Sequence, residues 1–258
     1  MPKTIAFLGA STGCGRAALM EALEAGHTCI ALCRVPSKLD DIAAALYRGR
    51  LTVREGNAHD VAAVAGCLTT ERDVGASMVD AVCSCIGSAM DAKTLSFEDP
   101  DVCRKGMETL LEALRIVRGK HEVRQADGTQ QHSGPLVCAL STTGIASAGR
   151  DFPLLYKPLY EHLLGPPHAD KKAMEALLVG SGERFVLVRP SLLTDEDAGD
   201  MARVRVGVED ARTGEVEGSG REIGYTISRA AVGRWVYGNV LAGEEGARFE
   251  GKAVSITW

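Results

Sequence analysis

Thr4-Ile5-Ala6-Phe7-Leu8-Gly9-Ala10-Ser11-Thr12-Gly13-Cys14-Gly15-Arg16 carries the reading of the fold. A short apolar run, Thr4 to Leu8, breaks at glycines spaced G-x-x-x-G-x-G. A helical pattern follows from about Cys14 to Ala25. In that order each glycine has a physical task. Gly9 can take the backbone angles of a tight turn. Gly13 lets the main chain approach a bound diphosphate, and Gly15 permits close packing of helix on strand. The helix N-terminus then offers free amides and a partial positive charge to the phosphates. The stretch therefore predicts a dinucleotide-binding turn, with Ser11, Thr12 and Cys14 between the glycines that line it.

Outward from this turn, apolar runs alternate with helical patterns. The runs are Thr28 to Cys33, Leu51 to Arg54, Met78 to Cys85, Pro135 to Leu140 and Arg184 to Val188. Helices are predicted near Ser37 to Tyr47 and Pro167 to Val179, with a small-residue segment around Val61 to Cys67. An amphipathic helix carries Val102, Met107, Leu110, Leu111, Leu114 and Val117 on one stripe at spacings of three and four. Repeated strand–helix alternation argues for a parallel sheet covered on both faces. The nearly continuous apolar runs suit strands buried on both sides. The prediction is an α/β protein: a doubly wound, mostly parallel Rossmann sheet with helices on both faces. It is read as one domain over residues 1–258, with a small C-terminal substrate-side lobe. Arg118 to Gly134 is polar and reads as a surface loop. Ser191 to Gly220 is acidic and irregular, and reads as a segment that helps to build a substrate pocket beyond the strand ends.

The bulk numbers exclude several classes. The chain has 258 residues, 45% hydrophobic and 24% charged, with a formal net charge of -5. Nothing suggests a basic nucleic-acid footprint. None of the eight cysteines forms a C-x-x-C pair or has zinc-ligand spacing, so no metal site is expected. Most sit in apolar runs such as Cys29 to Cys33, which reads as buried, reduced thiols in a reducing compartment. The N-terminus has no signal-peptide anatomy, and no apolar run is long enough to span a membrane. A cytoplasmic protein without membrane or nucleic-acid partners is expected.

The second run ends in Cys33-Arg34, followed by Val35-Pro36-Ser37-Lys38. An acidic residue at this strand end would bind the ribose hydroxyls of NAD. An Arg fits a 2′-phosphate in fork geometry, and Lys38 adds charge. The cofactor predicted is NADP(H). Asn57 is a candidate for the adenine end, and Asp60 is read as the cap of the next helix. Cys85, Ile86 and Gly87 end the fourth run, where Gly87 lets the backbone lie beside the cofactor.

With these residues in place the sequence resembles the short-chain dehydrogenase/reductase superfamily, most closely its atypical branch, NmrA-like and biliverdin/flavin-reductase-like. Four further stretches carry the resemblance. Val137-Cys138-Ala139-Leu140-Ser141-Thr142-Thr143-Gly144 is similar to the strand end that presents Ser/Thr to the nicotinamide. Asp170-Lys171-Lys172-Ala173-Met174-Glu175 is similar to the family's Lys/Glu helix. Phe185-Val186-Leu187-Val188-Arg189-Pro190-Ser191-Leu192-Leu193 is similar to its Arg-Pro strand end. Ile227-Ser228-Arg229-Ala230-Ala231-Val232 is similar to the late Ile-Ser-Arg-Ala-Asp-Val helix start, with Ala231 where Asp is usual. The resemblance implies that Ser141, Thr142, Pro190, Ser191 and Leu192 lie beside the cofactor.

The family's usual reductases pair Tyr and Lys as Y-x-x-x-K, with a Ser. This sequence departs from that pattern. Tyr156 lies 15 residues after Ser141, yet Tyr160 stands four positions on. The other register is H-x-x-x-K, His168 to Lys172, whose ends share one helix face. Pro166 and Pro167 suit the start of that helix. Lys172 is therefore assigned the ribose-binding role, with His168 or Tyr156 as the proton source, Ser141 as a hydrogen-bonding partner, and Lys171 turned to solvent. No Gly-x-Ser-x-Gly elbow surrounds Ser141, which argues against a hydrolase. Ile145, Phe152, Leu155, Tyr156, Leu159 and Tyr160 suggest an apolar pocket wall.

The leading expectation is an NADPH-dependent reductase of a small carbonyl, enone, quinone or flavin-like compound. An NADP(H)-binding redox-sensing regulator without turnover is the alternative, and a non-redox isomerase or cyclase on the same fold a minor one. Beyond a small-molecule substrate, a homodimer and a regulatory protein partner both stay open.

Overall fold

Thr4–Leu8 form the first strand, β1, and all five residues are buried. The computed structural model describes residues 1–258 except 46–48, 73–74, 88–89, 92–95, 125–133, 147–148, 159–163, 219–220 and 244–247. In chain order the elements are α1 (Gly13–Glu24), β2 (Thr28–Cys33), α2 (Asp40–Ala45), β3 (Leu51–Glu55) and α3 (Val61–Cys67). Next come β4 (Thr69–Arg72), β5 (Gly75–Met78), β6 (Ala81–Ser84), β7 (Met90–Asp91), β8 (Ser96–Phe97) and α4 (Val102–Arg124). Then follow β9 (Leu136–Leu140), α5 (Gly165–Gly180), β10 (Phe185–Pro190), β11 (Leu192–Thr194) and β12 (Arg205–Asp210). The last are β13 (Thr226–Ser228), α6 (Arg229–Val236) and β14 (Lys252–Thr257).

Eight strands make the main sheet, in the order β12-β14-β10-β9-β6-β1-β2-β3. All neighbours run parallel except β12, which pairs antiparallel with β14. Side chains alternate across each strand, so two cores form. Ile5, Phe7, Cys29 and Ala31 pack with Leu19 and Leu23 of α1 and Trp235 of α6 on one face. Ala6, Leu8, Ile30 and Leu32 pack with Val64, Met107, Leu110, Leu114 and Met174 on the other. This is the doubly wound, mostly parallel Rossmann sheet that the alternation predicts.

α6 lies along α1 in the same direction. A Cβ added to Gly233 would come 2.4 Å from Ala17 Cβ and 2.7 Å from Cys14 O, so only glycine lets the two helices approach this closely. One turn earlier Arg229 reaches Gly13, and toward the other end Arg234 Nε donates to Glu21 Oε1 at 2.7 Å.

Three expectations need correction. Met78 belongs to an antiparallel hairpin, Thr69–Met78, and not to the fourth core strand, which begins at Ala81. Ser191–Gly220 is not irregular: it holds β11 and the edge strand β12. The segment predicted as a surface loop begins as helix, since α4 runs to Arg124; 125–133 lie outside the described residues. The alternating run Lys252–Thr257, absent from the predicted strands, forms β14 inside the sheet.

Candidate functional site

β1 and β6 are neighbours, but the chain leaves β1 toward β2 and leaves β6 toward β9, on opposite sides. A crevice opens at such a switch point, beyond the carboxyl ends of the strands. The glycine turn fills its floor. Gly9 has φ +79, and a Cβ there would come 2.7 Å from Cys85 O. At Gly15 a Cβ would meet Gly9 O at 2.5 Å and Cys85 Cβ at 3.0 Å. The turn is therefore pressed onto the end of β6, and Gly15 seats α1 on it as the sequence predicts. Gly13 has φ +60 and opens α1. Thr12 caps α1 with no side-chain hydrogen bond, which leaves the first amides of the helix to a ligand. Cys14 and Cys85 are not reactive groups here. Burial, helped by the neighbouring Cys85, pushes the Cys14 thiol up to about 12. The Cys85 thiol is raised too, first by its contact with Cys83, at 3.7 Å between sulfurs.

At the end of β2 a recess of about 220 Å³ is lined by Ser11, Cys33, Arg34, Val35 and Lys38. Arg34 and Lys38 are exposed, and neither has an ion-pair partner among the described residues. Arg16, which the sequence reading passed over, borders this corner: its Nη1 donates to Lys38 O at 3.0 Å and its Nη2 bonds Asp41. Its position four residues into the helix after the turn was the available signal. Asn57, two residues beyond β3, is exposed, its side-chain oxygen occupied by the His59 amide at 3.1 Å. Asp60 caps α3, accepting from Ala62 N and Ala63 N.

The decisive correction concerns the lysines of α5. Lys171 Nζ donates to Ile86 O at 2.9 Å and to Leu140 O at 2.6 Å, bridging the segments that leave β6 and β9. Lys172 is exposed. One residue turns a helix by about 100°, so only one of two adjacent lysines faces the crevice. Asp170 fixes the choice. It is buried and accepts from Cys103 N and Arg104 N, both at 2.8 Å, capping α4 from another helix. With Asp170 locked against α4, Lys171 falls over the strand ends. Four residues on, Glu175 takes a bidentate pair from buried Arg189, through Nε at 2.9 Å and Nη2 at 2.6 Å. That pair ties α5 to β10, and Arg189 also bonds Glu209 of β12.

Beside Leu140, Ser141 is 5% exposed, and its buried Oγ has no hydrogen-bond partner among the described residues. An orphaned buried hydroxyl is costly unless something pairs with it. Thr142 spends its hydroxyl on Thr143 O at 3.0 Å. His168 lies three residues before Lys171 on neighbouring positions of α5. Burial lowers its pKa to about 4, so the ring is neutral near pH 7. Tyr156 packs its ring edge-on against Tyr225, 5.2 Å between centroids. Tyr160 and Leu159 lie outside the described residues. Ser191 is spent internally: its amide donates to Ile256 O at 3.1 Å and its Oγ shares a hydrogen bond with Thr257 at 2.8 Å. Its hydroxyl and amide are thus both engaged within the fold. Pro190 O is taken by Thr143 N at 3.1 Å, while Leu192 is exposed. Ile86 packs on Gly106 of α4, and beside Gly87 there is open space.

A family profile described as NAD(P)H-binding matches residues 9–241. The chain belongs to this NAD(P)H-binding family. It is 36% identical to the reductase pytE of Aspergillus terreus, over 99% of this chain and 98% of that protein. It is 33% identical to the oxidase pynE of Aspergillus niger, over 98% of each. The fold is shared with a short-chain dehydrogenase/reductase of Veillonella parvula in complex with NADP, at a TM-score of 0.66 and 16% identity over 100% of this chain and 95% of that one. An anaerobillin reductase of Escherichia coli O157:H7 superposes with a TM-score of 0.61 at 16% identity, over 98% and 96% of the two chains. The resemblance drawn from the ordered motifs holds, and an NAD(P)H-binding oxidoreductase is the class these findings support. Among the described residues no helix is long and apolar enough to cross a membrane, and no group of His, Cys, Asp or Glu is placed to hold a metal.

Proposed function

We propose that the protein transfers hydride between NADPH and a small carbonyl, enone, quinone or flavin-like compound. The observation that carries this reading is Lys171 Nζ on Ile86 O and Leu140 O at the carboxyl ends of β6 and β9, with the buried Ser141 Oγ, unpaired among the described residues, on the next residue after Leu140. They share the sheet edge with the glycine turn. The residues fit the cofactor. The turn is bare where a Cβ would collide with Cys85, the first amides of α1 are open, and the β2 recess carries Arg34, Lys38 and Ser11 for a 2′-phosphate. When bound, the cofactor supplies the hydride from its nicotinamide ring.

The chain's own residues do the rest. Arg34 and Lys38 select the phosphorylated ribose. Lys171 takes the role first assigned to Lys172, offering its ammonium to the ribose hydroxyls. Ser141 donates its hydroxyl proton in a hydrogen bond to the substrate oxygen, satisfying an atom that is otherwise unpaired. His168 is kept neutral by burial, so its conjugate acid is scarce near pH 7. Tyr156 therefore supplies the proton. Hydride transfer runs in either direction, so relatives named reductase and oxidase are compatible with one chemistry.

A second reading has one observation in its favour. Pro167, which has no proton to give, stands four residues before Lys171, where Y-x-x-x-K would place the tyrosine. That favours a redox-sensing regulator that binds NADP(H) without turnover. The experiment is a fluorescence titration with NADPH and NADH, followed by quinones, flavins and enones with absorbance read at the nicotinamide band. Tight NADPH binding with acceptor-dependent oxidation is expected. Binding without oxidation across the panel overturns the enzyme reading, and a stronger preference for NADH overturns the roles of Arg34 and Lys38.

A further inference from the structure

We propose that Arg229 is a cationic arm for the diphosphate of the cofactor, parked on Asp195 at the rim of the glycine turn. The proposal rests on the cofactor reading above and adds a contact from the far end of the chain.

Arg229 is the first residue of α6. Because Gly233 lets α6 lie along α1, both helices begin at the same edge of the sheet, and Arg229 comes to rest on the turn. Its Cδ is 3.4 Å and its Nε 3.9 Å from the position a Cβ on Gly13 would take. Its charge is also felt by Cys14, the second residue of α1, where it opposes the effect of burial. Among the described residues the guanidinium is held by one hydrogen bond, Nη1 to Asp195 Oδ1 at 2.7 Å. Asp195 follows β11 and its side chain is 88% exposed, so this ion pair is a weak tether, readily exchanged. The Arg229 side chain is itself about one-third exposed, so its tip is free to turn.

A diphosphate is the better partner for this group. It offers oxygens that a planar guanidinium takes two at a time, which a single exposed carboxylate oxygen does not match. With Cδ already against Gly13, rotation of the last bonds alone carries the guanidinium over the turn. No backbone shift is needed. Among the described residues the other cations of this edge are placed elsewhere. Arg34 and Lys38 line the β2 recess, Arg16 is bound to Asp41, and Lys171 sits on the β6 and β9 ends. Arg229 is the cation that stands over the diphosphate position. The reason for glycine at Gly13 is its φ of +60; the Arg229 side chain lies in ordinary contact distance above it.

The test uses the whole protein with Arg229→Gln, Asp195→Asn, the double variant and Arg34→Gln. The ligands are NADPH, NADH and adenosine 2′-monophosphate, which carries the 2′-phosphate but neither phosphate of the diphosphate. Arg229→Gln is expected to weaken NADPH and NADH by the same factor, about tenfold or more, and to leave the monophosphate within about twofold. Arg34→Gln gives the opposite pattern, weakening NADPH and the monophosphate but not NADH. Asp195→Asn removes the competing carboxylate and tightens both dinucleotides, and the gain vanishes in the double variant. Equal NADPH affinity for wild type and Arg229→Gln overturns the proposal and leaves the cofactor reading standing. So does a loss of monophosphate binding in proportion to NADPH. A wild-type protein that binds neither dinucleotide overturns the cofactor reading, and this proposal with it. If Arg229→Gln fails to fold, the surface variant Asp195→Asn decides: no gain in dinucleotide affinity refutes the parked arm.

Discussion

Replacing either lysine of the adjacent pair by methionine separates two residues that look alike in sequence. Lys171→Met removes two charge-assisted hydrogen bonds, to Ile86 O and Leu140 O. Hydrogen bonds from charged groups contribute about 1.5–3 kcal/mol each, and the carbonyls keep a second lone pair for solvent, so a net loss of about 2–3 kcal/mol is expected. In a chain of this size each kcal/mol lowers Tm by about 2–4 °C, so the melt falls by roughly 4–12 °C. Lys172 is exposed and makes no hydrogen bond among the described residues, so Lys172→Met stays within about 0.5 kcal/mol. The same pair separates in function: Lys171→Met weakens NADPH binding and lowers turnover at least about tenfold, one charge-assisted contact being worth that much, while Lys172→Met leaves both within about twofold. Differential scanning calorimetry and an NADPH titration on the two variants are sufficient. A Lys172→Met protein that loses as much stability and affinity as Lys171→Met would refute the assignment of the site lysine.

The other expectations concern different parts of the molecule. Gly15→Ala places a Cβ 2.5 Å from Gly9 O, so α1 must retreat by roughly half an ångström or more, at a cost of about 1–3 kcal/mol; Gly87→Ala enters open space and leaves Tm unchanged, and equal melts for the two would refute the packing account. Glu175→Gln leaves buried Arg189 with Glu209 alone and costs about 3 kcal/mol in chemical denaturation, less than about 1 kcal/mol being the contrary result. His168 titrates at about 4 in the folded protein and near 6.5 when unfolded, so the unfolded chain binds the extra proton as pH falls. Its contribution is present above about pH 6.5 and is lost between there and about pH 4. It amounts to as much as about 3 kcal/mol. His168→Gln should flatten the Tm profile in that window, and an unchanged profile would mean the ring is not held neutral.

The glycine turn, the mostly parallel sheet behind it and the covering helices were legible because local chemistry and tertiary role coincide there. Gly9 and Gly15 are glycines for reasons set within a few residues of each other and of the strand end at Cys85. The lysine pair was not legible. Spacing placed His168 and Lys172 on one face, but which face looks into the crevice depends on Asp170 reaching the amides of α4, a contact 66 and 67 residues distant in sequence. The bonding of Ser191 was hidden for a related reason: its hydroxyl answers to Thr257 of β14, a strand that single-sequence periodicity passed over. Arg16 and Arg229 escaped notice because their partners, Asp41 and Asp195, lie in other segments.

The glycine contact between α6 and α1 also bears on how this chain is made. The glycine turn leaves the ribosome well before the helix that closes over α1, which begins only at Arg229. At about 5–20 residues per second, some ten to forty seconds separate the two. During that interval the face of α1 formed by Cys14, Ala17 and Ala18 waits uncovered. A chain cut before Gly233 keeps the whole glycine sequence and still lacks a finished floor for the crevice. A ligand can report only on molecules in which α6 is in place: stabilisation by ligand becomes available once that helix has been synthesised, and a premature stop before it is silent in the motif and fatal to the floor of the crevice.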